Sequence, residues 1–212
     1  VTTDERRGAD QRGVFVALEG GDGAGKTTQA RLLQTWLGEL GRTVLLTREP
    51  GGSALGVEIR RLLLHGEHVS PRAEALLFAA DRAHHVASVV RPALERGEVV
   101  VTDRYLDSSV AYQGAGRDLA GEDVRGLSLW AVDGLLPDLT VLLDVPPGTG
   151  RSRRGDEHDR LESEPDAFHE RVRGGFLALA AAEPERYLVV DATQEPQLIH
   201  RQVRERLTEV LR

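Results

Sequence analysis

In Gly20-Gly21-Asp22-Gly23-Ala24-Gly25-Lys26-Thr27, glycines surround a lysine–threonine pair with G-x-x-x-x-G-K-[ST] spacing. Glycines let a backbone wrap an anion without Cβ clashes, so that amide hydrogens face inward. The chemistry is nucleotide phosphate binding. Lys26 is the one lysine of the chain; every other basic side chain is arginine or histidine. A compact ammonium on a flexible stem reaches the β- and γ-phosphates as a point charge, where a guanidinium fork would be too wide. Thr27 would bring a hydroxyl to Mg²⁺, and Thr28 extends the same helix start. Gly20 to Thr28 are therefore candidate donor-nucleotide contacts.

A phosphate loop does not say what the nucleotide is for. Guanine readers use Asn-Lys-x-Asp, and this chain has no asparagine and no second lysine. It also lacks a Leu-Ser-Gly-Gly-Gln transporter signature. An ATP-using kinase or an ATP-driven switch remains. A kinase needs an acceptor site, and Asp103-Arg104-Tyr105 supplies one, just after the apolar run Val99-Val100-Val101-Thr102. The Asp103 carboxylate could hold Mg²⁺, directly or through water, and Arg104 could grip an acceptor phosphate.

These groups must be positioned by a scaffold. The runs Val14–Leu18, Thr43–Thr47, Val99–Thr102, Leu139–Leu143 and Tyr187–Val190 are short and apolar, as strands buried on both faces are. Helical patterns lie between them. Thr27–Leu40 repeats Ala30, Leu33, Leu37 and Leu40, and Gly41 stops it. Ser70-Pro71 starts a helix spanning Glu74 to Asp81, and a further helix runs to Glu95 with a kink expected at Pro92. Glu122–Val132, Ala167–Ala182 and Gln197–Leu211 complete the set. This alternation predicts an α/β fold, a five-stranded doubly wound parallel sheet flanked by helices. Ligands of such sheets bind beyond the carboxyl ends of the strands.

Four stretches resemble the thymidylate kinase family. They are the phosphate loop, Thr47-Arg48-Glu49-Pro50-Gly51-Gly52, the run from Asp103 through Tyr112-Gln113-Gly114, and Pro137-Asp138-Leu139-Thr140. The likeness implies a P-loop NTPase fold with a mobile lid at about 148–162, and ATP-dependent phosphorylation of dTMP to dTDP in dTTP synthesis, with Mg²⁺. It implies that Phe78 stacks on thymine and that Arg82, one helical turn on, hydrogen-bonds a base carbonyl, which would reject cytosine. Gln113 and Ser109 would face the base edge, and Tyr112 would pack under the sugar. Arg60 and Arg104 would grip the acceptor phosphate, with Asp22 and Glu49 near the sugar. Some members carry an arginine just after the loop aspartate; here that position is Gly23, so the charge would come from the lid run Arg151-Ser152-Arg153-Arg154. Arg154 is assigned to the transferring phosphoryl group, and Arg151 and Arg153 to the ATP side. Asp191-Ala192-Thr193 resembles the loop beside adenine.

The 212 residues suit one domain, 14–212, behind a flexible polar tail at 1–13. Net charge of −7 argues against nucleic-acid polymers and anionic membranes as partners. With no cysteine, thiolate metal sites and cysteine nucleophiles are excluded. No apolar run approaches the length of a membrane span and no secretory h-region is seen, so a cytoplasmic protein is expected. His65, His68, His84, His85, His158 and His169 read as surface or packing residues. The family further implies a homodimer, for which Leu76, Leu77, Leu129 and Trp130 are candidate contacts. A kinase for another nucleoside monophosphate, and a non-catalytic ATP-binding switch, remain the alternatives.

Overall fold

The computed structural model describes residues 12–117, 119–153 and 159–212. Five parallel strands form one sheet in the order β2-β3-β1-β4-β5: β1 Val14–Glu19, β2 Val44–Arg48, β3 Val99–Asp103, β4 Leu139–Asp144 and β5 Tyr187–Asp191. Each strand ends one residue later than its apolar run, on a polar or charged residue. Only β1, β3 and β4 are buried on both faces; β2 and β5 are edges and stay partly exposed. Side chains alternate across the sheet with the two-residue period of a strand. Val14, Val16 and Leu18 join one core with Leu33, Leu37, Val203 and Leu207, from the helices α1 (Lys26–Glu39) and α9 (Pro196–Val210). Phe15 and Ala17 join the opposite core with Val86, Val90 and Tyr105.

The parallel register aligns Leu18 with Asp103 and Asp103 with Arg48, so these carboxyl ends share one rim of the sheet. From β1 the chain crosses to β2 and β3 on one side, and later to β4 and β5 on the other. The loop after β1 therefore sits at the topological switch point.

Glycine sets both ends of one helix. α1 begins at Gly25, whose φ of 94° is left-handed, and ends before Gly41, φ 75°. α3 (Pro71–His85) starts where Ser70-Pro71 predicts. It does not stop there: a π-helical turn at Val86–Val90 carries it into α4 (Arg91–Glu95). The irregularity thus precedes Pro92, which lacks an amide to donate back. Three segments carry no clear apolar stripe in the sequence and emerge only here. They are α2 (Ala54–His65), α5 (Leu106–Ser109) with its π-helical continuation Val110–Gly116, and α7 (Pro147–Ser152). In α2, Leu55, Val57 and Leu62 are exposed while Ile59, Leu63 and Leu64 are buried, so apolar residues lie all round it. α6 (Gly121–Ala131) and α8 (Asp166–Ala182) match their predicted spans within a residue. No helix among the described residues is long and apolar enough to cross a membrane.

Candidate active site

A cleft of about 730 Å³ opens along this rim. The loop residues Asp22 to Gly25 form one wall, the segment from Asp103 to Gln113 another, and α3 the floor at Phe78 and Arg82. Asp22, Gly23, Ala24, Gly25, Lys26, Thr27 and Thr28 line it, as do Glu49, Arg60, Phe78, Arg82, Asp103, Arg104, Ser109, Tyr112, Gln113 and Arg153. Asp22 and Arg153, 131 positions apart in the chain, are so brought into one space.

The phosphate end is built on Lys26. Its Nζ donates to the carbonyls of Gly20 (3.1 Å) and Gly21 (2.9 Å), leaving one of its three hydrogens for a ligand. Burial and nearby Arg104 pull the ammonium below its ordinary pKa, against Asp103, Asp22 and Glu19. Gly20 and Gly21 do not line the cleft; they hold the lysine from behind. Thr27 Oγ1 donates to Asp103 Oδ2 at 3.3 Å, so helix start and strand end meet.

The acceptor end is tied to the donor loop by Arg104. This residue has φ 71°, a left-handed conformation uncommon for a side-chain-bearing residue. The turn is held by Arg104 N donating to Leu18 O (2.9 Å) and Thr102 Oγ1 donating to Arg104 O (2.9 Å). It aims Nη2 at Asp22 Oδ1 (2.6 Å) and at the Tyr112 hydroxyl (3.1 Å). The guanidinium also lies 4.9 Å from the Tyr112 ring centre. Tyr112 in turn donates to Asp22 Oδ2 (3.1 Å). Burial would raise the Asp22 carboxyl, but Arg104 and Lys26 override it and hold the group far below its ordinary value. Asp22 therefore stays ionised between two cations.

The pocket floor is a buried polar network. Arg82 is 1% exposed and donates to Glu49 Oε2 (2.7 Å), Ser128 Oγ (3.2 Å), Tyr105 O (3.2 Å) and Ser109 Oγ (3.1 Å). Four of its five N–H groups are committed, leaving one on Nη1. Glu49 is shared with His85 Nδ1 (2.9 Å), whose Nε2 lies 2.7 Å from Thr47 Oγ1. His85 is thus no mere packing residue: Glu49 needs a second partner, and α3 places His85 less than one turn beyond Arg82. Asp81, beside this network, accepts from Gly51 N at 3.1 Å and is raised to about 6 by burial and by Glu49. Phe78 is nearly buried, its ring joining the core around Phe168 and Tyr187. Arg60 Nη1 donates to Pro50 O at 3.1 Å.

The arginines of the run expected to form a lid divide. Arg153 Nη1 donates to Ala192 O (2.7 Å), bridging the cleft to the Asp191–Thr193 turn. Arg151 is exposed and ion-paired with Asp166 in the first turn of α8, so the structure does not bring it into the cleft. Arg154 lies outside the described residues. Gly23 has φ 77°, and a Cβ there would meet the carbonyl oxygen of Gly150 on α7. A side chain at this loop position would be strained and would force the loop and α7 apart.

Two carboxylates behind the site carry no motif in the sequence. Glu19 is fully buried at the end of β1 and accepts from Tyr105 N (2.8 Å), Ser108 N (3.2 Å) and Ser108 Oγ (2.6 Å). Ser108 Oγ accepts from Arg104 Nη1 (3.1 Å), so Glu19 supports the turn and its guanidinium together. Its one sequence signal is a charge closing an apolar strand just before the loop. Burial and Asp107 raise Glu19 to about 7, against Ser108 and Arg104. Glu74, on α3, lies behind Gln113 and accepts from its Nε2 at 2.9 Å.

A sequence-family model described as thymidylate kinase matches residues 18–203. A curated thymidylate kinase from Leifsonia xyli subsp. xyli (strain CTCB07) is 63% identical over 199 residues, spanning 92% of this chain and 94% of that protein. One from Bifidobacterium longum (strain NCC 2705) is 59% identical over 187 residues, spanning 86% and 91%. The crystal structure of thymidylate kinase from Ehrlichia chaffeensis superposes with a TM-score of 0.77 at 32% identity, covering 92% of this chain and 99% of that one.

Proposed function

The chain belongs to the thymidylate kinase family, and from that premise we propose how its cleft transfers a phosphoryl group from ATP to dTMP. The carrying observation is the Arg104–Asp22 contact at 2.6 Å, which joins the donor loop to the acceptor segment in one space. ATP lies along the loop from Gly20 to Thr28, its phosphates facing the amides and Lys26. dTMP lies with its base between Phe78, Arg82, Ser109 and Gln113, its sugar over Tyr112, and its phosphate toward Arg60 and Arg104. Asp22 and Glu49 flank the sugar side.

An oxygen of the dTMP phosphate forms a bond to the γ-phosphorus as the bond to the β-phosphate oxygen breaks, in line, releasing ADP. Lys26 and Arg104 hold donor and acceptor together, so that reaction is a matter of position and charge. Arg153 steadies the adenine side and Arg154 neutralises the moving group. The lid, about 148–162, closes to exclude water. Thr27 and Asp103 are hard oxygen ligands already in contact. Among the described residues no group of three or more His, Cys, Asp or Glu is arranged to hold a metal ion by itself. That suits Mg²⁺, which keeps waters and substrate phosphates as most of its ligands. Bound there, Mg²⁺ would supply positive charge to the nucleotide phosphates.

We propose a homodimer through the adjacent outer faces of α2, α3 and α6, where Leu62, Leu76 and Trp130 are 43%, 57% and 81% exposed. Leu77 and Leu129 pack instead against the cores. The reaction belongs in the cytoplasm, where both nucleotides reside. An ADP-release assay across dTMP, dUMP, dCMP, dAMP and dGMP tests the acceptor assignment. The expected result is fastest turnover with dTMP; faster turnover of dCMP overturns it.

A further inference from the structure

Glu74, Phe78 and Arg82 follow one another at four-residue intervals on α3 and form one stripe facing the pocket. Phe78 and Arg82 line the cleft, whereas Glu74 does not. It is fully buried behind Gln113, flanked by two guanidinium groups. Arg160 Nη2 donates to its Oε2, and Arg117 Nε donates to its Oε1 at 3.3 Å. Arg160 Nε also donates to Leu63 O at 2.9 Å, which fixes the pair to α2. Oε1 additionally accepts from Gln113 Nε2 at 2.9 Å.

A carboxylate between two arginines is an acceptor only. It captures the amide –NH₂ of Gln113 and turns the carbonyl Oε1, the other end of that amide, toward the cleft. The free Nη1 hydrogen of Arg82 stands on the same floor. The pocket thus offers one donor and one acceptor. A 4-oxo pyrimidine presents the complement, O4 and N3–H. Cytosine presents the reverse, an N4 amino group and a bare N3. An amide free to rotate would serve both edges, because its two ends have opposite hydrogen-bonding character.

We propose that Glu74 is a specificity-determining positioning residue, which locks the Gln113 amide so that only its acceptor end reads the base. The proposal rests on the assignment of this pocket to dTMP. Glu74 touches no substrate and acts through Gln113.

The test uses Glu74→Gln and Glu74→Asp in the full chain, with kcat/KM measured for dTMP, dUMP and dCMP at saturating ATP. Glutamine leaves one acceptor where three side chains donate. Aspartate keeps the charge between the arginines while withdrawing it from Gln113, so it serves if the glutamine variant fails to fold. The dTMP to dCMP ratio is expected to fall about tenfold or more, the scale of leaving a buried polar group wrongly paired. The dTMP to dUMP ratio should not move, because these bases share the same edge and differ only in a methyl group. A folded Glu74→Asp variant with its dTMP to dCMP ratio intact overturns the proposal. So does a fall of both ratios together, which marks general loosening. A parent chain with no preference for dTMP over dCMP removes the pocket assignment itself, and the proposal with it.

Discussion

Arg104 and Glu19 show how single residues carry this site. The left-handed Arg104 turn is uncommon for a residue with a side chain, and Glu19 meets the buried donors beside it, Tyr105 N and Ser108 Oγ, with a buried carboxylate. That arrangement has a measurable cost. Glu19 titrates near 7 in the fold, raised first by burial, against an ordinary value of 4.5. Below about pH 4.5 the group is protonated in both folded and unfolded chains and the cost vanishes. Between there and pH 7 the unfolded chain ionises first, so stability falls as pH rises. The full cost, on the order of 3 kcal/mol, is present above pH 7. Asp81 adds a fall of the same sign between its ordinary value of 3.8 and about 6, while Asp22, depressed by its cations, acts only at strongly acid pH. Glu19→Gln should remove the Glu19 part alone. Urea unfolding at pH 5 and pH 8 checks this; an equal loss of stability in both proteins refutes it.

At the scale of elements, glycines decide which segments approach closely. Gly23 lets the phosphate loop lie against α7, and Gly116 lets the π-helical segment pack on Phe168. α5 and its π-helical continuation together present Ser109, Tyr112 and Gln113 to the cleft. Gly23→Ala adds a methyl group against the Gly150 carbonyl at a φ of 77°. It should cost about 1–3 kcal/mol and raise the KM for ATP more than that for dTMP, because the donor loop must shift. Thermal unfolding and steady-state kinetics measure both. An unchanged melting temperature would mean that α7 does not rest on the loop.

For the whole molecule, α2, α3 and α6 each turn one face to the cleft or core and expose apolar side chains on the other. Trp130, 81% exposed, is the largest of these. Trp is the residue type most often found to carry interface energy. If this face forms the proposed homodimer, Trp130→Glu should weaken self-association at least about tenfold while leaving the monomer folded, since its side chain contributes to no core cluster. Sedimentation velocity across a concentration series reads this directly. A dimer of unchanged affinity would place the interface elsewhere.

What the sequence determined by itself is local. The phosphate loop was legible because its glycines and Lys26 act within eight positions, and the strands because burial leaves unbroken apolar runs. The family likeness named most of the residues lining the cleft. It did not show that Arg151 turns to Asp166, or that His85 shares Glu49 with Arg82. Nor did it point to Glu19 or Glu74, which belong to no motif. Arg104 meets Asp22 across 82 positions, and Gln113 meets Glu74 across 39. Periodicity records which face of an element is buried. A buried polar group must find a specific partner, and only the packed tertiary structure decides which one is within reach.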